Sequence, residues 1–322
     1  MSQVLPEDCG STNCEFARAV SEGLESEEKF LSSQYFYDVH GDRLFRAIMA
    51  TPEYYLTKAE IEIFNRLGSD IIAQFEPGAD IIELGAGDGS KTRLLLAEHL
   101  QRRQFCYVPI DISKNSLAGL QQRMAEWLPG LDVMPVVGEY LEALDRLPPR
   151  RGQRVFMFLG SNIGNFTPAQ AVGFLAEIRG HMAAQDRLFI GFDLKKDPHV
   201  ILAAYNDAAG HTRAFNLNLL RRINRELDGN FDLEQFEHYP SYDPQTGACK
   251  SYLVSRRRQE VFFSKLDKKI QFSAGECIYM EISQKYSLAE LRELAKNSGF
   301  LVQASFTDSR SYFADQVWQP AS

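Results

Sequence analysis

The sequence lacks the cysteine and histidine spacings of disulfide frameworks and metal sites. Its 322 residues include five cysteines and six histidines, and none of these form a CxxC, HxH or HxxxH pair. Scattered single cysteines are typical of reduced, intracellular proteins, since oxidised frameworks need paired spacings. We therefore expect a cytoplasmic protein without a metal cofactor.

Excess positive charge and long apolar runs are missing as well. The formal net charge is −8, whereas a nucleic-acid surface needs clustered lysine and arginine. No apolar run approaches the roughly 20 residues of a membrane helix, and the first residues do not resemble a signal peptide. We therefore expect neither a nucleic-acid nor a membrane partner. Separately, we expect a monomer with a small-molecule partner.

Apolar runs of strand length alternate with helical patterns from Asp80 onward. The fourth run precedes a helix that Thr167 is placed to cap, with Pro168 at its first position. A helix capped by Ser287 then precedes two final apolar runs joined by a short polar turn. Continuous apolar strands between helices indicate a parallel sheet covered on both faces, and a terminal hairpin adds an antiparallel edge. This pattern predicts an α/β fold with a seven-stranded sheet. Its strand-like runs are 80–87, 105–113, 131–140, 154–160, 186–194, 300–308 and 312–319.

The pattern changes after residue 194. Asp197-Pro198 predicts a helix through about Ala208, and Thr212 is placed to cap the next helix. Strand-like stretches follow, and residues before about 60 read mainly helical. We therefore predict two domains, each built from two chain segments. The sheet domain spans 60–194 and 286–322, and an α+β domain spans 1–59 and 195–285.

The loop after the first strand reads Glu83-x-Gly85-x-Gly87-x-Gly89. A P-loop needs glycine where Ser90 stands, and a dinucleotide fingerprint needs its third glycine one residue later. The loop resembles the first motif of class I S-adenosylmethionine methyltransferases. A ligand without pyrophosphate needs only bare backbone beside it, which glycine provides. An NAD-dependent oxidoreductase is the alternative.

Residues at the ends of the next two strands match a bound adenosylmethionine. Asp111 ends the second strand, where its carboxylate would accept hydrogen bonds from ribose hydroxyls. Glu139 and Tyr140 end the third strand, where class I methyltransferases contact the adenine. The alternative interpretation is a glycine-rich turn with a solvated Asp111.

The residues that would bind a methyl acceptor have two interpretations each. Asn165 follows the fourth strand and could bind a carboxylate or an amine, or it could simply begin a helix. If 278–283 is a strand, Glu281 and Ser283 share one face, where they could bind an imidazole ring or face water. Tyr54 and Tyr205 are by default packing residues.

The chain resembles the histidine Nα-methyltransferases of ergothioneine biosynthesis from about Tyr35 to its C-terminus. Long, collinear blocks support this resemblance: "FYDVHGDRLF", "TPEYYLTKAE", "ELGAGDGSKTRLLL", "FLGSNIGNFTP", "AYNDAAG", "AFNLNLLRRINREL", "FDLEQFEH" and "FSAGECIYMEISQKY". Members of this family transfer three methyl groups from S-adenosylmethionine to the α-amino group of free L-histidine, giving hercynine.

The resemblance implies a role for each matching residue. The set for adenosylmethionine is Gly85, Lys91, Asp111, Glu139 and Tyr140, with Gly87 from the loop itself. The set for the amino acid's backbone groups is Tyr37, Gly160, Asn165 and Tyr205, of which Tyr37 and Asn165 would orient the reacting nitrogen. The set around the imidazole is Tyr54, Glu281 and Ser283.

Two positions depart from the family pattern. Ser251 stands where bacterial members have a methionine near the imidazole, and Asn162 replaces a smaller residue. Three alternatives to histidine methylation therefore stay open: methylation of another amino acid such as tryptophan, methylation of a modified histidine, and a catalytically dead methyltransferase fold that only binds ligands.

Overall fold

The computed structural model describes residues 11–321, with side chains from residue 14 onward. Residues 1–10 of the predicted α+β domain lie outside this range. The helices of the described chain, in order, are α1 (Ser11–Glu25), α2 (Val39–Ala50), α3 (Leu56–Ile72), α4 (Thr92–Leu100), α5 (Lys114–Trp127), α6 (Tyr140–Leu144), α7 (Pro168–Gly180), α8 (Pro198–Ala204), α9 (His211–Leu227) and α10 (Leu288–Asn297).

The strands are mostly short and fall in three sheets. In chain order they are β1 (Asp80–Leu84), β2 (Cys106–Asp111), β3 (Asp132–Val133), β4 (Val136–Val137), β5 (Arg154–Phe158), β6 (Arg187–Asp193), β7 (Phe236–Tyr242), β8 (Ala248–Ser255), β9 (Gln259–Phe263), β10 (Lys268–Phe272), β11 (Cys277–Gln284), β12 (Phe300–Thr307) and β13 (Phe313–Pro320).

The largest sheet has the order β12-β13-β6-β5-β1-β2-β3, with β4 also paired to β2. The strands β1 to β6 pair in parallel, and β13 runs antiparallel to both β6 and β12. Every residue of β1 and of β5 is buried, as a sheet covered on both faces requires. The predicted α/β fold with an antiparallel terminal hairpin is confirmed.

One predicted strand is divided in two. The run 131–140 forms two separate two-residue strands, β3 and β4, and both pair with β2. Pro135 lies between them. Proline has no N–H to donate to a neighbouring strand, so the ladder is interrupted at that residue. The sheet therefore has eight strand segments instead of the predicted seven.

Two helices of the sheet domain, α7 and α10, begin with capping boxes. Thr167 accepts from the backbone N–H of Gln170, and the Gln170 side chain accepts from the Thr167 N–H, so that a capping box starts α7. Ser287 and Glu290 form the same box at the start of α10. Both caps fall where the sequence predicted them, and they fix where the chain leaves each preceding loop.

The prediction for residues 197–212 was wrong in two details. The helix α8 ends at Ala204, four residues before the predicted end. The next helix, α9, begins at His211, so Thr212 lies inside it. The N-cap is Gly210, and the carboxylate oxygens of Asp207 accept from the backbone N–H groups of His211 and Thr212 at 2.8 and 2.7 Å. A carboxylate four residues before the helix replaces the expected hydroxyl.

The chain divides into two compact units. The sheet unit comprises Leu56–Lys196 and the chain from Gln284 onward, and it contains the eight-segment sheet. The appended unit comprises the residues up to Tyr55 together with Asp197–Ser283. It contains the sheet β11-β8-β7, the pair β10-β9 and its own apolar core around α9. Among the described helices, none is both long and apolar enough to cross a membrane.

Candidate active site

The glycine loop that follows β1 has a backbone conformation that residues with side chains rarely adopt. Gly85 and Gly87 have φ angles of 75° and 55°, in the left-handed region that favours glycine. A Cβ at Gly85 would lie 2.8 Å from the Tyr140 hydroxyl, whereas a Cβ at Gly87 would meet no described atom within 4 Å. The loop therefore has bare backbone with open space at Gly87, as the adenosylmethionine interpretation requires.

Glu83 anchors the loop from inside the protein. Its carboxylate accepts from the Thr92 hydroxyl at 2.6 Å and from the Tyr107 hydroxyl at 2.5 Å, which ties β1 to α4 and β2. Burial raises the pKa of Glu83 to about 7, although the two hydroxyl donors oppose the shift. The acidic residue of the motif is thus a buried anchor between secondary structure elements.

Asp111 lies beside the glycine loop at the end of β2. Its carboxylate accepts from the Ser113 N–H at 2.9 Å and from the Gly87 N–H. Burial raises the pKa of Asp111 above its ordinary value against these backbone donors. A carboxylate fixed next to bare loop backbone is well placed to accept hydrogen bonds from a pair of hydroxyls on a ligand.

Tyr140 reaches the same loop from α6. Its ring packs against Phe158 and Phe174, with centroids 5.5 and 6.0 Å apart, and its hydroxyl lies next to Gly85. Burial, with the nearby charge of Asp111, raises the pKa of Tyr140 to about 12. Glu139 is exposed and directly precedes α6. The structure thus brings the predicted cofactor residues Gly85, Gly87, Asp111 and Tyr140 together.

Lys91 pairs with a carboxylate that the sequence interpretation missed. Its ammonium group forms an ion pair with Glu60 of α3, and the other oxygen of Glu60 accepts from the Gly160 N–H at 2.7 Å. The signal for Glu60 was present, because it lies at helical spacing with Leu56 and Ile63 on the buried face of α3. A charged residue on an apolar stripe indicates a buried partner.

The loop after β5 contains the predicted acceptor residues of the sheet unit. Gly160 and Ser161 both adopt left-handed backbone, with φ angles of 73° and 59°. The Ser161 hydroxyl accepts from the Asp193 N–H at 3.0 Å, which holds this loop to the end of β6. Asn165 ends a short 3₁₀ turn, is exposed, and lies two residues before the cap of α7. A Cβ added at Gly85 would lie 3.3 Å from the Asn162 amide nitrogen.

The predicted imidazole residues of the appended unit lie on β11. Residues 278, 280 and 282 of this strand are buried, and Glu281 and Ser283 occupy the other face together. The Tyr205 hydroxyl donates to the Ser283 Oγ at 2.6 Å. His238 Nε2 donates to the Tyr205 carbonyl at 3.0 Å, so Tyr205 is held at both its backbone and its ring. Tyr205 thus makes hydrogen bonds in addition to its packing contacts.

Tyr37 and Tyr54 are linked by an aromatic cluster in the same unit. The Phe45 ring lies 5.6 Å from the Tyr37 ring and 6.2 Å from the Tyr54 ring, both at steep angles. Tyr37 is 45% exposed. Ser251 is buried on β8, and within residues 11–321 its hydroxyl has no hydrogen-bond partner. The roles of these residues stay predictions.

Comparison with known proteins identifies the family of this chain. The profile described as "Histidine-specific methyltransferase, SAM-dependent" matches residues 16–320. Histidine N-alpha-methyltransferase of Mycolicibacterium smegmatis is 38% identical over 86% of this chain and 87% of its own length. Ergothioneine biosynthesis protein 1 of Schizosaccharomyces pombe is 29% identical over 89% of this chain and 38% of its own length.

The solved structures that match this chain include methyltransferases with low sequence identity to it. Magnesium protoporphyrin IX methyltransferase of Synechocystis PCC 6803, with bound SAH, is 13% identical, with a TM-score of 0.47 over 90% of this chain and 98% of that chain. This likeness is too low to support an argument about the site. The match to the family profile over nearly the whole chain is decisive, and the chain belongs to the histidine-specific, S-adenosylmethionine-dependent methyltransferases.

Proposed function

We propose that this protein methylates the α-amino group of free L-histidine three times with S-adenosylmethionine, giving hercynine for ergothioneine biosynthesis. The observation that supports histidine best is the arrangement of Tyr205, Ser283 and Glu281. A neutral imidazole has one N–H donor and one nitrogen acceptor, and a matching protein surface needs one group of each kind. Glu281 and Ser283, on one face of β11, supply these two groups.

In this proposal, the hydrogen bond from Tyr205 makes Ser283 the donor toward the substrate. A serine hydroxyl has one proton and two lone pairs, and Tyr205 donates to this oxygen. The Ser283 proton is then directed to a different partner, for which we propose the acceptor nitrogen of the ring. The Glu281 carboxylate accepts from the ring N–H. An amino acid without these two nitrogens would leave the carboxylate without its partner, which costs roughly 1–3 kcal/mol or more.

The sheet unit has the groups that the methyl donor needs. The open backbone at Gly87 accommodates a ligand that a side chain would exclude, and the Asp111 carboxylate beside it suits ribose hydroxyls. Tyr140 and Glu139 would contact the adenine, and Lys91 would contact the donor as well. When bound, adenosylmethionine supplies a methyl group on a sulfonium that is already activated, so accurate positioning is the main requirement of the protein.

The acceptor nitrogen must be neutral to attack. A free α-amino group titrates near or above neutral pH, so each of the three transfers requires the loss of one proton. We assign Tyr37 and Asn165 to orient this nitrogen, with Gly160 and Tyr205 holding the other backbone groups and Tyr54 beside the ring. The enzyme acts as a cytoplasmic monomer.

The experiment that tests the proposal is incubation of the protein with labelled adenosylmethionine and an equimolar mixture of the twenty amino acids. We expect label in histidine derivatives with one, two and three methyl groups. Label in tryptophan would replace the acceptor but keep the reaction class. Binding of S-adenosylhomocysteine without any labelled product would show a catalytically dead fold. The matched control is Asp111→Ala, which should abolish the label because it removes a donor-binding carboxylate.

A further inference from the structure

A buried carboxylate joins two loops of the sheet unit. Glu60 on α3 is 0% exposed and lies on the same helix face as the buried Ala59, Ile63 and Phe64. A charged group in such a place is costly unless it is paired and hydrogen-bonded. The position therefore requires an explanation from its contacts.

Each oxygen of this carboxylate holds a different loop. One oxygen accepts from the Gly160 N–H at 2.7 Å, and the other pairs with the Lys91 ammonium. Lys91 ends the glycine loop after β1, and Gly160 follows the neighbouring strand β5. Burial disfavours the charged form of Lys91, yet the Glu60 charge raises the Lys91 pKa overall. One side chain thus links the loop for the donor to the loop for the acceptor.

A second buried carboxylate nearby provides a comparison. Asp315 on β13 is 0% exposed, and within the described part of the chain neither of its oxygens has a hydrogen-bond partner. A Cβ added to Gly191 would lie 2.9 Å from a Glu60 oxygen and 3.0 Å from an Asp315 oxygen, so the two carboxyl groups flank one point. Burial, with the Glu60 charge, raises the pKa of Asp315 well above its ordinary value. Burial thus favours the uncharged form of Asp315, and this side chain makes no hydrogen bond to either loop in the described chain.

We propose that Glu60 is a positioning residue of the transferase, which sets the donor loop and the acceptor loop relative to each other through Lys91 and Gly160. This inference rests on the proposed function, because that function gives Lys91 to the donor and Gly160 to the amino acid. Glu60 touches neither substrate in this account. It acts through the two residues that it holds.

The test compares Glu60→Ala, Glu60→Gln and Asp315→Asn. Glu60→Ala removes both contacts, so we expect the Kd of S-adenosylhomocysteine to rise at least about tenfold, as loss of a charged hydrogen bond implies. The KM for histidine at saturating donor should rise several-fold in the same variant. Glu60→Gln keeps one acceptor oxygen and should show smaller changes in these constants. Asp315→Asn should leave both within about twofold, since neither oxygen of Asp315 bonds to the two loops within the described chain.

Two outcomes would overturn the inference. One is a folded Glu60→Ala protein with a lower Tm but unchanged Kd and KM, which would make Glu60 merely structural. The other is an Asp315→Asn protein as impaired as Glu60→Ala, which would show an effect of buried polarity in general. If Glu60→Ala does not fold, Glu60→Gln decides by the same constants. The Kd requires no acceptor, so wild-type protein that binds S-adenosylhomocysteine but methylates no histidine would refute the proposed function separately.

Discussion

The Tyr205 hydroxyl offers a sharp perturbation, because Tyr205→Phe removes one oxygen and leaves the ring in place. That oxygen donates to Ser283 at 2.6 Å, and both residues are less than one-tenth exposed. In our account the bond directs the Ser283 proton toward the substrate ring. Without it, the serine can rotate and use its proton elsewhere. The loss should therefore appear in histidine turnover and leave donor binding unchanged.

The size of this effect follows from the kind of hydrogen bond. A neutral, buried hydrogen bond contributes about 0.5–1.5 kcal/mol net, which corresponds to a fall in kcat/KM for histidine of roughly 2- to 12-fold. The assay is initial-rate kinetics at saturating donor, with calorimetry for the Kd of S-adenosylhomocysteine. Tyr239→Phe is the control, since Tyr239 is 58% exposed in the same unit.

A double-mutant cycle decides whether Tyr205 acts through Ser283. Tyr205→Phe should have a smaller further effect in a Ser283→Ala background, because the oxygen that receives its proton is gone and only the proposed contact of Tyr205 with the amino acid's backbone groups remains to be lost. Equal losses in both backgrounds would refute the reasoning. Unchanged histidine kinetics in Tyr205→Phe alone would refute it as well.

Three further predictions concern the ring, the donor and pH. Glu281→Ala should lower kcat/KM for histidine about tenfold or more and leave S-adenosylhomocysteine affinity nearly unchanged, with the exposed Glu237→Ala on the same sheet as control; equal histidine kinetics in wild type and Glu281→Ala would contradict the assignment. S-adenosylhomocysteine at 100 times its Kd should stabilise the protein by about 2.7 kcal/mol in thermal unfolding, whereas NAD should not, and Asp111→Ala should remove most of this gain. The raised pKa of Glu83, about 7, favours the protonated form in the folded state. Protonated Glu83 contributes fully to the free energy of unfolding below the pKa that Glu83 has in the unfolded chain. This contribution, about 3 kcal/mol, is lost as pH rises through 7. Urea unfolding at pH 5 and pH 8 should show this decline in wild type and a smaller one in Glu83→Gln; identical declines would contradict it.

Sequence patterns predicted the parallel part of the sheet because its strands are continuous apolar runs between capped helices. Thr167 and Ser287 fall at their predicted caps. Pro135 was visible in the sequence, but the run around it is apolar enough to read as one strand. The strand β7 was not predicted, since its sequence "FEHYPSY" mixes charge and proline. The antiparallel pairing with β8 stabilises this strand, although its own residues do not favour one.

The site was partly accessible from the sequence and partly not. The roles of Gly85 and Gly87 can be recognised from the sequence, because backbone with positive φ angles favours glycine. Tyr205 does not, since a tyrosine among alanines on a helix normally packs in a core. Its role depends on Ser283, which lies 78 residues away in the sequence. Glu60 was missed for a similar reason, because its partners Lys91 and Gly160 come from distant loops that only the folded sheet brings together.

The central claim is that methyl groups go to the α-nitrogen of histidine, and the position of the methyl groups in the product tests it most directly. The measurement is NMR spectroscopy and fragment mass spectrometry of the product formed from histidine and methyl-labelled donor. We expect three labelled methyl groups on the α-nitrogen and an unmodified ring. Label on a ring nitrogen, or no product from histidine while another amino acid is methylated, would contradict it.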